Sequence, residues 1–161
     1  MVTMHTEATP VFRFLVMNGP NINLLGLREP DIYGKQDYRA LLDLVEQTAR
    51  DEGFSVDCYQ SNHEGDLVDA IQQAFGVYDG IVINPAAYTH TSIALLDALK
   101  AVGIPFVEVH ISAVEKREDF RQVSYVRQAA MRTITGHGID GYREALLFLR
   151  DSLAERQNEQ L

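Results

Sequence analysis

Gly80-Ile81-Val82-Ile83-Asn84-Pro85-Ala86-Ala87-Tyr88-Thr89-His90-Thr91-Ser92 is the stretch that decides the fold. Its apolar run, 80–83, is short and stops abruptly at Asn-Pro, which reads as a β-strand. Four more runs share this form. Residues 11–17 lead into Asn18-Gly19-Pro20-Asn21, and 54–59 lead into Gln60-Ser61-Asn62-His63-Glu64-Gly65. Residues 104–109 lead into His110-Ile111-Ser112, and 132–135 into Gly136-His137-Gly138. In an open parallel sheet, ligands bind beyond the carboxyl ends of the strands. A chain that places His, Asn and Ser there repeatedly reads as an enzyme or a small-molecule binder.

Helical periodicity separates the strands. Leu41, Leu42, Val45 and Ala49 stripe one helix, and Leu67, Val68, Ile71, Ala74 and Phe75 a second. Thr91 or Ser92 caps a third, running to about Lys100 and ended by Gly103-Ile104-Pro105. Tyr142, Ala145, Leu146, Leu149 and Leu153 stripe the last, with Asp140 as its cap. This alternation predicts an α/β fold. It is a flavodoxin-like three-layer αβα sandwich on a five-stranded parallel sheet, order 2-1-3-4-5. Residues 11–155 form one domain, preceded by an extension at 1–10 expected to be disordered and followed by a tail at 156–161 expected to fray. The connection 18–36 is long and polar, as functional lids are, and carries Arg28 and Tyr33.

The 161 residues carry a net charge of −9, which argues against a nucleic-acid partner. No apolar stretch is long enough to span a bilayer, and 1–10 has no signal-peptide pattern. The single Cys58, expected as a buried strand thiol, offers no disulfide framework and fits a reducing cytoplasm. Lys35, Lys100 and Lys116 sit in polar or helix-end contexts, which argues against imine catalysis.

Gly136-His137-Gly138-Ile139-Asp140-Gly141 matches a dinucleotide fingerprint, but only the final helix follows it. These glycines read as a tight turn and close helix–sheet packing. His63, His90, His110 and His137 lie at four strand ends without metal-ligand spacing, and Ser112 lacks a nucleophile elbow. A stronger constellation joins Tyr, Arg, His and Asn. A lone loop Tyr33 is by default a surface aromatic, but near Arg28 it fits a general base. A phenol titrates near ~10, and each unit of lowering takes ~1.36 kcal/mol. A nearby guanidinium supplies about 1–3 units. An isolated His110 is by default a satisfied core histidine. Here Glu108, two residues earlier on the same strand face, would orient the ring and favour its protonated form, as a general acid requires. Asn84, by default a turn former, and the Ile111 and Ser112 amides suit a carboxylate or oxyanion pocket. Arg117 and Arg121 are four apart on an expected helix, and for Arg117 the expected role is a solvated face paired with Glu118.

With these residues in place, the chain resembles type II 3-dehydroquinate dehydratases. The resemblance rests on Asn18-Gly19-Pro20-Asn21 through Arg28-Glu29-Pro30 to Tyr33-Gly34, on the 60–65 and 84–92 blocks, and on Glu108-Val109-His110-Ile111-Ser112, in order and spacing. It implies trans elimination of water from 3-dehydroquinate, through an enolate, to 3-dehydroshikimate, with no metal or cofactor. It implies Tyr33 as base, Arg28 lowering its pKa, Asn21 holding a water at the enolate, and His110 as acid oriented by Glu108. Asn84, Ile111 and Ser112 would grip the carboxylate, and His90 and Arg121 the ring hydroxyls. Asp97 would serve a neighbouring subunit's site. The family further implies trimers packed into a dodecamer.

Ala113, Glu115, Gln122, Val123 and the basic, bulky 127–132 stretch depart from the family pattern, outside the residues with assigned roles. They bear on subunit contacts and distal substrate contacts. The alternatives are a divergent paralogue acting on a related cyclic hydroxy acid and a non-catalytic flavodoxin-like binding domain. A receiver domain would want acids after strands one and three, where Asn21 and Asn84 stand. A flavin binder would want a Ser/Thr-rich phosphate loop after strand one.

Overall fold

The computed structural model describes residues 11–27 and 36–161. Five strands form one parallel sheet: β1 Arg13–Asn18, β2 Ser55–Gln60, β3 Gly80–Asn84, β4 Phe106–His110 and β5 Arg132–Thr135. Their order is β2-β1-β3-β4-β5, as the alternating pattern predicts. Four strands lie toward the C-terminal side of their apolar runs. The 11–17, 54–59, 80–83 and 104–109 runs give way to ladders that reach Asn18, Gln60, Asn84 and His110. Asn18 pairs with both Gln60 and Asn84, and His110 with Thr135. Ladder bonds are made by the backbone and ignore side-chain polarity, so strand and polar tip overlap.

Among the described residues four helices cover the sheet: α1 Tyr38–Glu52, α2 Glu64–Ala74, α3 Ile93–Val102 and α4 Asp140–Glu159. Asp37 caps α1 through Ala40 N–H at 2.8 Å. Of the two candidates for α3, Ser92 is the cap, accepting from Leu95 N–H at 3.0 Å. Asp140 does not cap α4. Ile139 holds that position without a side-chain bond, and Asp140 sits in the first turn, where its charge suits the helix dipole. The helix continues to Glu159, into the segment expected to fray. No helix among the described residues is long and apolar enough to cross a membrane.

Strand side chains alternate between two cores. Phe14, Val16, Val82, Val107 and Val109 face one layer with Leu41 and Val45 of α1 and Tyr142, Leu146 and Leu149 of α4. Leu15, Met17, Ile81, Ile83 and Phe106 face the other with Leu67 and Ile71 of α2 and Leu95 and Leu99 of α3. Burial of each large side chain contributes roughly 1.5–3 kcal/mol. Gly141 marks the close approach expected of the Gly136–Gly141 turn, since a Cβ there would lie 3.1 Å from Val109 Cγ2. Cys58 is only partly buried, because β2 is an edge strand.

The helix expected across Arg117 and Arg121 is absent. Two 3-10 turns, Val114–Lys116 and Asp119–Arg121, replace it. Gln122 Nε2 donates to the carbonyls of Val114, Arg117 and Glu118 at 3.2, 3.3 and 3.4 Å. A continuous helix would use those acceptors internally, so the side chain substitutes for the next turn.

Candidate active site

The tips of β1, β3 and β4 surround a cavity of about 300 Å³. The turn after β1 is set by Gly19, whose N–H donates to Asn84 O at 2.8 Å. A Cβ on Gly19 would lie 2.4 Å from Pro85 O, so only glycine lets the two tips close. Asn21 follows in the left-handed region, φ 70°. Its N–H donates to Asn62 Oδ1 at 3.0 Å, and Gln60 Nε2 braces the same turn through Asn62 Oδ1 at 3.1 Å and Gly19 O at 3.2 Å. Gln60 and Asn62 are thus supporting residues at the tip of β2. Their polar pair at a strand end was the available signal.

Behind the cavity, Glu108 is fully buried. Its Oε1 accepts from His110 Nε2 at 2.7 Å, from Ser124 Oγ at 3.0 Å and from Thr89 Oγ1. Its Oε2 accepts from Thr133 Oγ1 at 3.3 Å, with Arg127 Nε at 3.8 Å. Burial alone pushes this carboxyl up. The hydrogen bond and charge of His110, with the Thr89 and Ser124 hydroxyls, outweigh it and hold Glu108 below the usual carboxylate range. Glu108 is therefore a carboxylate acceptor, and His110 turns Nε2–H to it. The ring keeps Nδ1 for other partners.

Asn84 is also buried. Its Oδ1 accepts from Ala86 N–H at 3.0 Å and its Nδ2 donates to Tyr142 Oη at 2.9 Å. The Ile111 and Ser112 carbonyls accept from Gly138 and Gly136 N–H at 3.1 and 3.0 Å. His90 Nδ1 donates to Val123 O at 2.6 Å, since a carbonyl only accepts. Arg121 Nε reaches Glu118 Oε2 at 2.8 Å and Arg117 Nε approaches it at 3.7 Å.

Asn21, Asn84, His90, His110, Ile111, Ser112 and Arg121 all line this cavity. Arg117 lines it as well, although the sequence places it on a solvated face. Asp97 is exposed on α3 and lines no part of the cavity. Arg28 and Tyr33 lie outside the described residues. Among the described residues the lining brings together Arg117, Arg121, His90 and His110 with no carboxylate, in a chain of net charge −9. Such a lining suits a small anion that carries several hydroxyl or carbonyl groups. A second hollow of about 480 Å³, between β2 and α2, is lined by Asp57, Asp66 and Asp69 and has the opposite electrostatic character.

A family model described as Dehydroquinase class II matches residues 12–150. A 3-dehydroquinate dehydratase 1 from Corynebacterium efficiens is 49% identical over 92% of this chain and 98% of its own length. A 3-dehydroquinate dehydratase from Rhodopseudomonas palustris is 57% identical over 81% of this chain and 87% of its own. Among solved structures, a type II dehydroquinase from Butyrivibrio crossotus superposes with a TM-score of 0.85 at 46% identity, covering 87% of this chain and 98% of that one. The match takes in every strand tip that lines the cavity, and the chain belongs to the class II dehydroquinase family.

Proposed function

We propose that this chain dehydrates 3-dehydroquinate to 3-dehydroshikimate. The observation that carries the reading is the lining: two arginines, two histidines and Asn84 around one small cavity, with no carboxylate among the described residues that line it. Family membership supplies the reaction class, a hydro-lyase.

In this reading Tyr33 takes the C2 proton as phenolate, with Arg28 stabilising that charge. The C–H electron pair moves toward C3, and the carbonyl oxygen becomes an enolate beside a water held by Asn21. Collapse of the enolate forms the C1–C2 double bond and breaks the C1–O bond. His110 gives the departing hydroxyl its proton, and water leaves. Glu108 orients His110 through the 2.7 Å contact. Asn84 and the Ile111 and Ser112 amides bind the carboxylate, and His90 and Arg121 the ring hydroxyls. Arg117 adds positive charge near the anion.

Residues 11–155 act as one catalytic domain in this reading, in the cytoplasm. We further propose assembly as trimers packed into a dodecamer. Ile93, Phe120 and Val123 are apolar and exposed, and Asp97 lies outside its own cavity, as a residue serving a neighbouring subunit would. Sedimentation of the purified chain tests the assembly.

The activity test mixes purified protein with 3-dehydroquinate and a chelator and follows the ultraviolet absorbance of the conjugated product. A rapid, chelator-resistant rise is expected, abolished by Tyr33→Phe with little change in stability. No rise from folded protein refutes the reading.

A further inference from the structure

The core layer shared by α1 and α4 holds a polar bridge. Tyr142 on α4 is fully buried among Phe14, Val82 and Leu146, yet its hydroxyl makes two hydrogen bonds. It accepts from Asn84 Nδ2 at 2.9 Å and donates to Asn18 Oδ1 at 2.5 Å. Asn18 and Asn84 are the last residues of β1 and β3, and they pair in register. The bridge therefore runs from the helix layer, through the sheet plane, to a residue that lines the cavity.

The polarity of this bridge is fixed. A phenol hydroxyl has one hydrogen, and burial pushes the Tyr142 pKa far up, so the hydrogen stays on the oxygen. That hydrogen is committed to Asn18. Only lone pairs remain for Asn84, which must present Nδ2 to them. On its other side, Asn84 Oδ1 accepts from Ala86 N–H at 3.0 Å. Flipping the amide would set Nδ2 against the Ala86 donor and Oδ1 against the Tyr142 oxygen. Both contacts would be lost. One Nδ2 hydrogen is taken by Tyr142, and the second is the one Asn84 can offer to a ligand.

We infer that Tyr142 is a positioning residue for the substrate carboxylate, with its hydroxyl, polarised by Asn18, holding the Asn84 amide so that a fixed N–H faces the cavity. This inference rests on the reading of Asn84 as a carboxylate ligand. The bridge is not an efficient way to build a core. Asn18 Nδ2 is buried without a partner among the described residues, and it carries a desolvation penalty that an apolar pair would avoid.

The test uses the full chain and Tyr142→Phe, which removes the hydroxyl and keeps the ring. Three quantities are read: kcat and KM for 3-dehydroquinate, the thermal midpoint, and the preference for a cyclic carboxylic acid over its methyl ester as inhibitors. The variant is expected to raise KM roughly tenfold and to shrink the acid-over-ester preference by a similar factor, as a displaced donor to a charged group predicts. kcat should fall less. Leu146→Ala, in the same core and helix, should lower the midpoint and leave KM and the preference unchanged. In an Asn84→Ala background, Tyr142→Phe should add less than about twofold to the loss in kcat/KM, because its route is gone. Should Tyr142→Phe not fold, Asn18→Ala removes the acceptor of the hydroxyl and is expected to move KM and the preference in the same direction. Unchanged KM and preference in a folded Tyr142→Phe or Asn18→Ala protein overturn the inference while turnover by the wild type stands. Absence of wild-type turnover overturns the proposed function instead, and the inhibitor preference then still reads the bridge.

Discussion

Glu108→Gln is the most informative perturbation of the Glu108–His110 pair. The side chains are nearly isosteric, so packing is kept and charge is removed. The oxygen of the introduced amide would still accept from Thr89, Ser124 and His110, the three donors that converge on one carboxylate oxygen. The other terminus becomes a donor. Thr133 can rotate its hydroxyl to accept from it, but Arg127, 3.8 Å away, cannot. The charged acceptor gives hydrogen bonds worth ~1.5–3 kcal/mol, against ~0.5–1.5 kcal/mol for neutral ones. Summed over the close His110 contact and the weaker hydroxyl donors, the variant should be about 2 kcal/mol less stable at neutral pH. The sign of the pH dependence follows from linkage. The folded pKa of Glu108 lies below the unfolded value of ~4.3, so its contribution is complete above about pH 5 and is lost as pH falls through the folded value. Glu115 and Glu118, also held low, are common to both proteins and cancel in the difference. Urea unfolding of wild type and variant from about pH 7 to about pH 3 checks this. The gap should close on acidification, and under the proposed mechanism kcat near pH 7 should be lower by roughly 10²-fold or more as His110 loses its orienting carboxylate. A gap that stays constant with pH would refute the claim that the buried group is a stabilised carboxylate.

Three other outcomes follow from local structure. Gly19→Ala must displace the Pro85 carbonyl, which a Cβ would meet at 2.4 Å, so a loss of about 1–3 kcal/mol and a large fall in kcat/KM are expected; Gly65→Ala in α2, where a Cβ meets nothing within 4 Å, should leave activity intact and raise the melting point slightly. Cys58 should resist alkylation: burial first, then Glu46 and Asp57, push its thiol up to about 12, so labelling near pH 8 should be at least ~100-fold slower than for an exposed thiol and should accelerate only on unfolding.

The topology was legible because each strand stands out as a short apolar run between helical stripes. The strand ends were less so, since Asn18, Gln60, Asn84 and His110 look like loop residues but remain in the ladder. Asn84, His110, Ile111 and Ser112 were found by position alone, at the carboxyl ends where a parallel sheet gathers its ligands. Arg117 was not, because its place in the cavity depends on turns that Gln122 builds from a distance. Tyr142 was read as one more member of an apolar stripe. Nothing in its spacing tells that its hydroxyl meets residues 58 and 124 positions away.

Ala86 has φ 52°, a left-handed conformation that costs a residue with a Cβ roughly 1–2 kcal/mol. The amide of that residue donates to Asn84 Oδ1, a side chain rather than a helix or ladder carbonyl. Its hydrogen therefore exchanges with solvent whenever this turn opens, even while the sheet below remains closed. Deuterium uptake at this single amide gives the local free energy of forming the cavity wall, separately from the global stability that the β3 ladder amides report.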